Sequence, residues 1–126
     1  MGIGTDIVQI PRIEKVLHLY GQIFIRRILS EEEIQKMNLL KQDQYGRFLA
    51  KRFAAKEAIS KALGTGIGAN LRFKDISVLN DKLGKPLVKI CHPKYQGELG
   101  QKINIHLSIS DDYPISVAFA IITLSA

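Results

Sequence analysis

One long stretch in the middle of the chain most constrains what the protein can fold into. From about Gln44 to Leu63 the sequence is rich in Ala, Leu, Lys, Arg and Glu and contains no proline, which favours a helix. Gly64 follows at the position where a helix is often capped by a residue in the left-handed conformation. We therefore expect one long helix, against which the rest of the 126 residues must pack.

The predicted helix has an apolar side and a side that could carry chemistry. At about 100° per residue, the apolar side holds Ala55, Ile59, Ala62 and Leu63. The opposite side holds Phe53, Glu57, Ser60, Lys61 and Gly64, with Arg52 and Lys56 at the border. Glu57 and Lys61 are four residues apart, so they can share one ligand, and Ser60 adds a hydroxyl donor beside them. These three groups together suit a metal-bridged phosphate.

The same pair has a simpler interpretation as a solvated Glu–Lys contact, which would stabilise the helix only slightly. Phe53 and the glycine turn at 64–68 (GTGIG) argue for more, because an ordinary solvated face needs neither a bulky aromatic side chain nor a bare backbone. The turn follows a helix and precedes no Walker lysine, so it is neither a dinucleotide fingerprint nor a P-loop. It is a helix cap whose N–H groups could also meet an anion.

The first third of the chain predicts a strand followed by short helices. Residues 2–8 (GIGTDIV) read as a strand, and Pro11 stands where it can open a helix. Ser30 precedes the three glutamates at 31–33, a capping-box start for another short helix. Asp6, at the end of the first strand, is either a turn or cap residue or a metal ligand. Because magnesium is typically held by one or two carboxylates together with phosphate oxygens and waters, Asp6 and Glu57 are a candidate pair of ligands.

The second half of the chain changes to the two-residue period of strands. Residues 76–79 and 87–91 flank the turn at 80–86 (NDKLGKP) and predict a hairpin. Residues 103–109 and 115–122 predict two further strands, joined by a turn at 110–114. With 46% apolar residues and no linker or repeat, the chain predicts a single domain over 1–126. Its fold class is α+β, with a mostly antiparallel sheet packed against one long helix and shorter helices.

Charge and composition narrow the classes of partner. The formal net charge of +6 favours an anionic partner, but the sequence has no Trp, no zinc-finger spacing and no aromatic-rich RNA motif, so nucleic acid is disfavoured. No stretch approaches the roughly 20 apolar residues of a membrane span, and no basic leader precedes an apolar run. We therefore expect a cytoplasmic protein without a membrane partner. The single Cys91 excludes an internal disulfide and is expected to be a buried or edge-strand thiol.

Two segments resemble the signature motifs of a known enzyme family. Residues 2–8 (GIGTDIV) and 48–68 (FLAKRFAAKEAISKALGTGIG) are similar to those of holo-acyl-carrier-protein synthases, the small bacterial 4′-phosphopantetheinyl transferases. The stretch IRRILSEEEI, the LGKP turn and the strand around His106 extend the resemblance through most of the chain. It implies transfer of the 4′-phosphopantetheine arm of coenzyme A to a serine of apo acyl carrier protein, with release of adenosine 3′,5′-bisphosphate. It also implies a requirement for magnesium and a place in fatty acid biosynthesis.

The resemblance further implies roles for individual residues. Asp6 and Glu57 would be the metal ligands, while Lys61 would contact the pyrophosphate and help to protonate the leaving phosphate. The remaining coenzyme-binding positions would be Arg52, Lys56, Ser60, Gly64, Thr65 and His106. Judged by itself, His106 would be an ordinary polar residue of an alternating strand.

Partners follow from the same resemblance. Arg12, Arg26 and Arg27 are the expected docking residues for the acidic carrier protein; otherwise they are solubility charges. The family is typically a homotrimer with active sites between neighbouring subunits. Many members carry a second histidine where this chain has residues 110–112 (SDD), so Asp111 is left out of the predicted site.

Two other classes of function compete with the transferase. A basic binding module without chemistry would show salt-sensitive binding that is independent of magnesium and coenzyme A. A purely structural, trimer-forming protein would leave the polar face of the long helix unexplained.

Overall fold

A long helix lying across a three-stranded sheet forms the centre of the fold, and the computed structural model describes residues 1–125. The strands are β1 (Gly2–Gln9), β2 (Ile76–Asn80), β3 (Pro86–Ile90), β4 (Ile103–Asp112) and β5 (Ile115–Leu124). The helices are α1 (Ile10–Tyr20), α2 (Gln22–Ile28), α3 (Glu31–Met37), α4 (Tyr45–Leu63) and α5 (Gly97–Lys102).

The strands confirm the expected α+β class but are divided between two sheets. The larger sheet has the order β1-β5-β4 and the smaller one pairs β2 with β3, all antiparallel. Helix α4 packs on one face of the larger sheet, where Ala118 and Ala120 of β5 are fully buried. Helices α1 and α2 and strand β2 also pack against α4. The long helix is therefore enclosed on more than one side.

Most local predictions are confirmed, with two differences. Helix α4 ends at Leu63 with Gly64 in the left-handed conformation (φ 81°), and Ser30 and Glu33 form the expected capping box. Strand β4 continues to Asp112, which pairs with Ile115, so the predicted turn is shorter than 110–114. Cys91 is exposed and follows the last residue of β3, so its expected burial or strand position is wrong. Among residues 1–125, no helix is long and apolar enough to cross a bilayer.

The prediction of a two-sided α4 is only half right. The apolar side is buried as expected, but Arg52, Lys56 and Ser60 are buried too. Tertiary packing is the reason, because α1, α2 and β2 cover part of the side of α4 that helical periodicity predicts to be polar. Glu57 keeps partial exposure and Lys61 is exposed, so only part of the predicted polar face reaches solvent.

Close contact between β1 and α4 depends on glycine. A Cβ atom added at Gly4 would lie 2.0 Å from the carbonyl oxygen of Ala58, and one added at Gly2 would lie 1.8 Å from that of Ala62. Both obstacles are helix backbone, which cannot shift without moving the whole element. The two glycines thus set the distance between strand and helix.

Gly4→Ala is expected to destabilise the fold by about 1–3 kcal/mol, because the added methyl overpacks a fixed backbone contact. The free energy of unfolding, measured in urea, checks this value. Gly68→Ala is the matched control, since a Cβ atom there meets nothing within 4 Å and no positive φ is involved. Equal stability of the Gly4 and Gly68 variants would contradict the proposed packing constraint.

Candidate active site

Asp6 and Lys61 meet where β1 crosses α4. Side chains alternate along a strand, and because Gly2 and Gly4 face the helix, Asp6 lies on the same side. Lys61 Nζ lies 3.2 Å from Asp6 Oδ1 and donates a second hydrogen bond to the Thr5 carbonyl oxygen at 3.0 Å. The Lys61 side chain is 52% exposed and that of Asp6 only 16%, so the pair is open to a ligand from the lysine side.

Glu57 is the second carboxylate of this site. Partial burial raises the pKa of Glu57, the negative charge of Asp6 raises it further, and the Lys61 ammonium opposes both effects. Asp6, Glu57, Phe53 and Arg12 line one cleft of about 620 Å³. The side chains predicted to carry the chemistry are therefore neighbours in the fold.

The pair of carboxylates fits a magnesium ion better than a metal that needs an all-protein cage. Across residues 1–125 no group of three or more His, Cys, Asp and Glu side chains is arranged to hold a metal. Magnesium is commonly held by one or two carboxylates, with phosphate oxygens and waters completing its shell. Burial and, to a lesser extent, the negative charge of Asp6 raise the pKa of Glu57, and a bound cation would offset both effects.

The glycine turn beyond α4 is less available to an anion than expected. The N–H groups of Thr65 and Gly66 both donate to the Ser60 carbonyl oxygen, and that of Gly64 donates to the Lys61 carbonyl oxygen. These groups cap the helix, so they cannot also cradle a phosphate without breaking the cap. Gly64 and the Thr65 side chain are nevertheless exposed at the end of the helix that carries Lys61.

Ser60 and Lys56 do not face solvent. Ser60 is fully buried and its hydroxyl donates to the Glu57 carbonyl oxygen at 2.8 Å. Lys56 is also fully buried and donates to Glu33 Oε1 and, at 2.7 Å, to the Ile28 carbonyl oxygen. Burial lowers the pKa of Lys56 to about 8, although Glu33 opposes the shift. Because the Lys56 side chain is completely enclosed, a phosphate could reach its ammonium only if the surrounding packing opened.

Arg52 faces a different cleft from Asp6 and Glu57. Its guanidinium lies over the Phe48 ring at 4.5 Å and donates to Asn80 Oδ1 at 3.2 Å, while Nε is buried without a hydrogen-bond partner. This larger cleft has a volume of about 780 Å³, and its lining residues are entirely different from those of the Asp6 cleft. Within one chain, Arg52 and the two carboxylates therefore serve separate clefts.

His106 lies on the opposite face of the sheet from Asp6. It is exposed on β4, and its Nε2 lies 3.3 Å from Thr123 Oγ1. Its neighbour Leu107 is partly buried against the core. Because successive residues of a strand point to opposite faces, His106 points away from α4. A single chain does not bring it to the carboxylates.

Sequence and structure comparisons agree on the family. A profile described as "ACPS: 4′-phosphopantetheinyl transferase superfamily" matches residues 2–118. The chain belongs to this superfamily. The resemblance seen in the two sequence motifs is thereby confirmed, and it extends over most of the chain rather than over the motifs alone.

Individual relatives cover nearly the whole length. The chain is 46% identical to the holo-[acyl-carrier-protein] synthase of Orientia tsutsugamushi (strain Ikeda), over 98% of this chain and 97% of the relative. A Bacillus anthracis holo-(acyl-carrier-protein) synthase in complex with CoA (3′,5′-ADP) is 42% identical, with 98% and 96% of the two chains covered and a TM-score of 0.84. A Helicobacter pylori synthase in complex with coenzyme A is 34% identical, with 96% and 99% covered and a TM-score of 0.81.

The three arginines predicted to dock a carrier protein are all exposed. Arg12, on α1, lines the cleft of Asp6 and Glu57, while Arg26 and Arg27 lie in the last turn of α2. The same two helices expose Leu19 and Ile23. Helices α1 and α2 therefore expose both cations and apolar side chains.

The structure adds charged residues that sequence reasoning missed. Arg47 and Lys51 lie one helical turn apart on α4, and Asp111 lies 3.7 Å and 3.8 Å from them, at the larger cleft. The i,i+4 spacing of the two cations was a signal that could have found them. The neighbouring sequence does not indicate Asp111 as their partner, because β4 contacts α4 only through tertiary packing.

Proposed function

We propose that this chain, in the cytoplasm, transfers the 4′-phosphopantetheine arm of coenzyme A to a serine of apo acyl carrier protein, with Asp6 and Glu57 holding magnesium. The product is holo carrier protein for fatty acid biosynthesis, and adenosine 3′,5′-bisphosphate leaves. The proposal rests on one observation: Asp6, Glu57 and Lys61 lie together in a chain that is 46% identical to a holo-[acyl-carrier-protein] synthase. Two carboxylates beside an ammonium group suit a ligand that combines a divalent cation with a phosphate.

In the reaction, the serine oxygen forms a bond to the phosphorus of the pantetheine arm, and the bond from that phosphorus to the bridging oxygen breaks. Magnesium, when bound, supplies positive charge that stabilises the phosphate oxygens. Lys61 pairs with the diphosphate and helps to protonate the leaving group. The serine proton passes to a carboxylate of the cleft.

The remaining coenzyme positions contribute in different ways. Gly64 and Thr65 are exposed near Lys61 at the end of α4, and this exposure supports a role for the Thr65 side chain in binding the arm or its phosphate. Ser60 stabilises the end of the helix. Its hydroxyl donates a hydrogen bond to the Glu57 carbonyl oxygen, and its own carbonyl oxygen accepts hydrogen bonds from the N–H groups of Thr65 and Gly66. His106 would bind the adenosine end from a neighbouring copy, because it points away from the Asp6 cleft of its own chain. Arg52 is almost fully buried and would reach the coenzyme only through the larger cleft that it lines. Lys56 would support this site only through the buried helix packing.

A homotrimer is supported by an apolar surface on the sheet, which we call the outer sheet face. It is formed by Ile3 and Ile7 of β1 with Val117 and Phe119 of β5, each 37–67% exposed. The register places Ile7 opposite Val117 and Thr5 opposite Phe119, so the side chains are contiguous on the side away from α4. Such a patch marks an interaction surface. His106 lies on the same face, which would bring it to a neighbouring chain.

Transfer itself is tested by incubating the protein with coenzyme A, magnesium and apo acyl carrier protein, followed by mass spectrometry of the carrier. We expect a mass increase equal to one 4′-phosphopantetheine group on its serine. Omission of magnesium by chelation should abolish the increase. Failure to modify any of several carrier proteins would refute the proposed function.

Phe119→Lys is expected to reduce the oligomer to monomers and to abolish most transfer, because a charge is then buried in the subunit interface. Molar mass by light scattering checks the assembly. Leu39→Lys is the control, since Leu39 is also exposed but lies outside the outer sheet face. A parent protein that is already monomeric, or a Phe119 variant of unchanged mass, would contradict the trimer.

Removing two docking charges, Arg26→Ala with Arg27→Ala, is expected to raise KM for the carrier protein roughly tenfold with little change in kcat. Rim charges mainly accelerate encounter with an acidic partner, so the effect should shrink as salt increases. Lys94→Ala with Lys102→Ala removes the same charge elsewhere on the surface and should leave KM nearly unchanged. A fall in kcat instead of a rise in KM would argue against a docking role.

A further inference from the structure

Lys61 and a divalent cation need the same carboxylate. The Lys61 ammonium donates to Asp6 Oδ1 at 3.2 Å and is anchored a second time on the Thr5 carbonyl oxygen at 3.0 Å. The Asp6 side chain is mostly buried, so few directions remain from which a second cation can approach it. A hard cation binds carboxylate oxygens at about 2.0–2.1 Å and would lie close to the ammonium.

We propose that Lys61 is a built-in competitor for the metal: its ammonium occupies Asp6 until coenzyme A draws it to the diphosphate, which releases Asp6 for magnesium. This inference rests on the proposed function and adds a regulatory role to a residue already placed at the diphosphate. Lys61 is half exposed and attached through a flexible side chain, so it can leave Asp6 without disturbing α4.

Charge balance explains why such a competitor is useful. Asp6 and Glu57 line one cleft, so their carboxylates repel one another when both are ionised, and the Lys61 ammonium beside Asp6 offsets this repulsion from within the chain. Since binding couplings are reciprocal, a coenzyme that removes Lys61 from Asp6 strengthens metal binding, and the metal in turn strengthens coenzyme binding. The two ligands thereby assemble together rather than independently.

The test is a titration of the protein with Mn²⁺ alone. Binding is measured by calorimetry and by the electron paramagnetic resonance signal of free Mn²⁺. Lys61→Met is expected to bind Mn²⁺ roughly tenfold more tightly than the parent, as follows if the ammonium occupies Asp6 about nine-tenths of the time. Lys61→Arg keeps a cation at this position, so its affinity should stay within about twofold of the parent. Asp6→Asn should abolish Mn²⁺ binding both in the parent and in the Lys61→Met protein.

Arg12→Met separates competition from simple repulsion, because Arg12 lines the same cleft but, within residues 1–125, forms no hydrogen bond or ion pair with Asp6. An affinity gain in the Lys61→Met protein that clearly exceeds the gain in the Arg12→Met protein supports the competitor. Equal gains, or no gain with Lys61→Met, would overturn it while leaving the metal site intact. Absence of Mn²⁺ binding in both the parent and the Lys61→Met protein would overturn the metal site and the competitor together.

Discussion

Glu57→Gln is expected to lower kcat/KM for transfer by at least about 100-fold, a loss comparable to removing one preorganised electrostatic contact from a transition state. Glutamine keeps the size and the hydrogen-bonding oxygen of the side chain but removes the charge that would hold the metal and accept a proton. Asp6 and Lys61 remain in place, so the arrangement of β1 and α4 is preserved. Steady-state kinetics with coenzyme A and apo carrier protein give the measurement.

The same variant should fold as well as the parent. The pKa of Glu57 is raised in the folded state, so at neutral pH its negative charge is disfavoured there, and removing the charge does not weaken folding. Glu98→Gln, a change of the same type at an exposed position on α5, should keep full activity. Near-normal turnover of the Glu57→Gln protein, with an unchanged thermal unfolding temperature, would remove Glu57 from the metal shell.

Local structure was predictable because it depends on neighbours in sequence. The bounds of α4, the left-handed Gly64, the capping box at Ser30 and the β2–β3 hairpin each follow from residues within a few positions. Burial of Arg52 and Lys56 did not follow, because their shared partner Glu33 lies on another helix, 23 residues before Lys56. Helical periodicity assigns a residue to a side of its helix but not to the element that will cover that side.

The candidate site shows the same division. The four-residue spacing of Glu57 and Lys61 on a helix predicts from the sequence alone that the two side chains are neighbours. Their contact with Asp6 needs the close approach of Gly2 and Gly4 to α4, which a strand pattern alone does not specify. His106 was grouped with them although strand alternation sends it to the opposite face. Alternation was visible in the sequence, but the face of the sheet that packs on the helix was not.

Glu33→Gln is expected to destabilise the fold by about 3–5 kcal/mol, the cost typical of breaking a buried ion pair by removing one partner. Glu33 is fully buried and its two oxygens accept from the Ser30 N–H at 2.9 Å, the Val78 N–H at 3.0 Å and the Lys56 ammonium, while Arg52 Nε lies 3.6 Å away. The amide of glutamine would turn a donor toward one of these donors, and the change would remove the negative charge that the two buried cations share.

Urea unfolding of two further variants tests whether Glu33 itself, rather than loss of any charge nearby, is responsible. Glu32 lies on the same helix as Glu33 and forms an exposed ion pair with Lys89 of β3, so Glu32→Gln should cost less than about 1 kcal/mol. Lys56→Met should cost less than Glu33→Gln, because burial already disfavours the ammonium, lowering its pKa to about 8, and Glu33 keeps its bonds to Ser30 and Val78. A larger loss with Lys56→Met than with Glu33→Gln would show that the lysine, and not the glutamate, holds α3, α4 and β2 together.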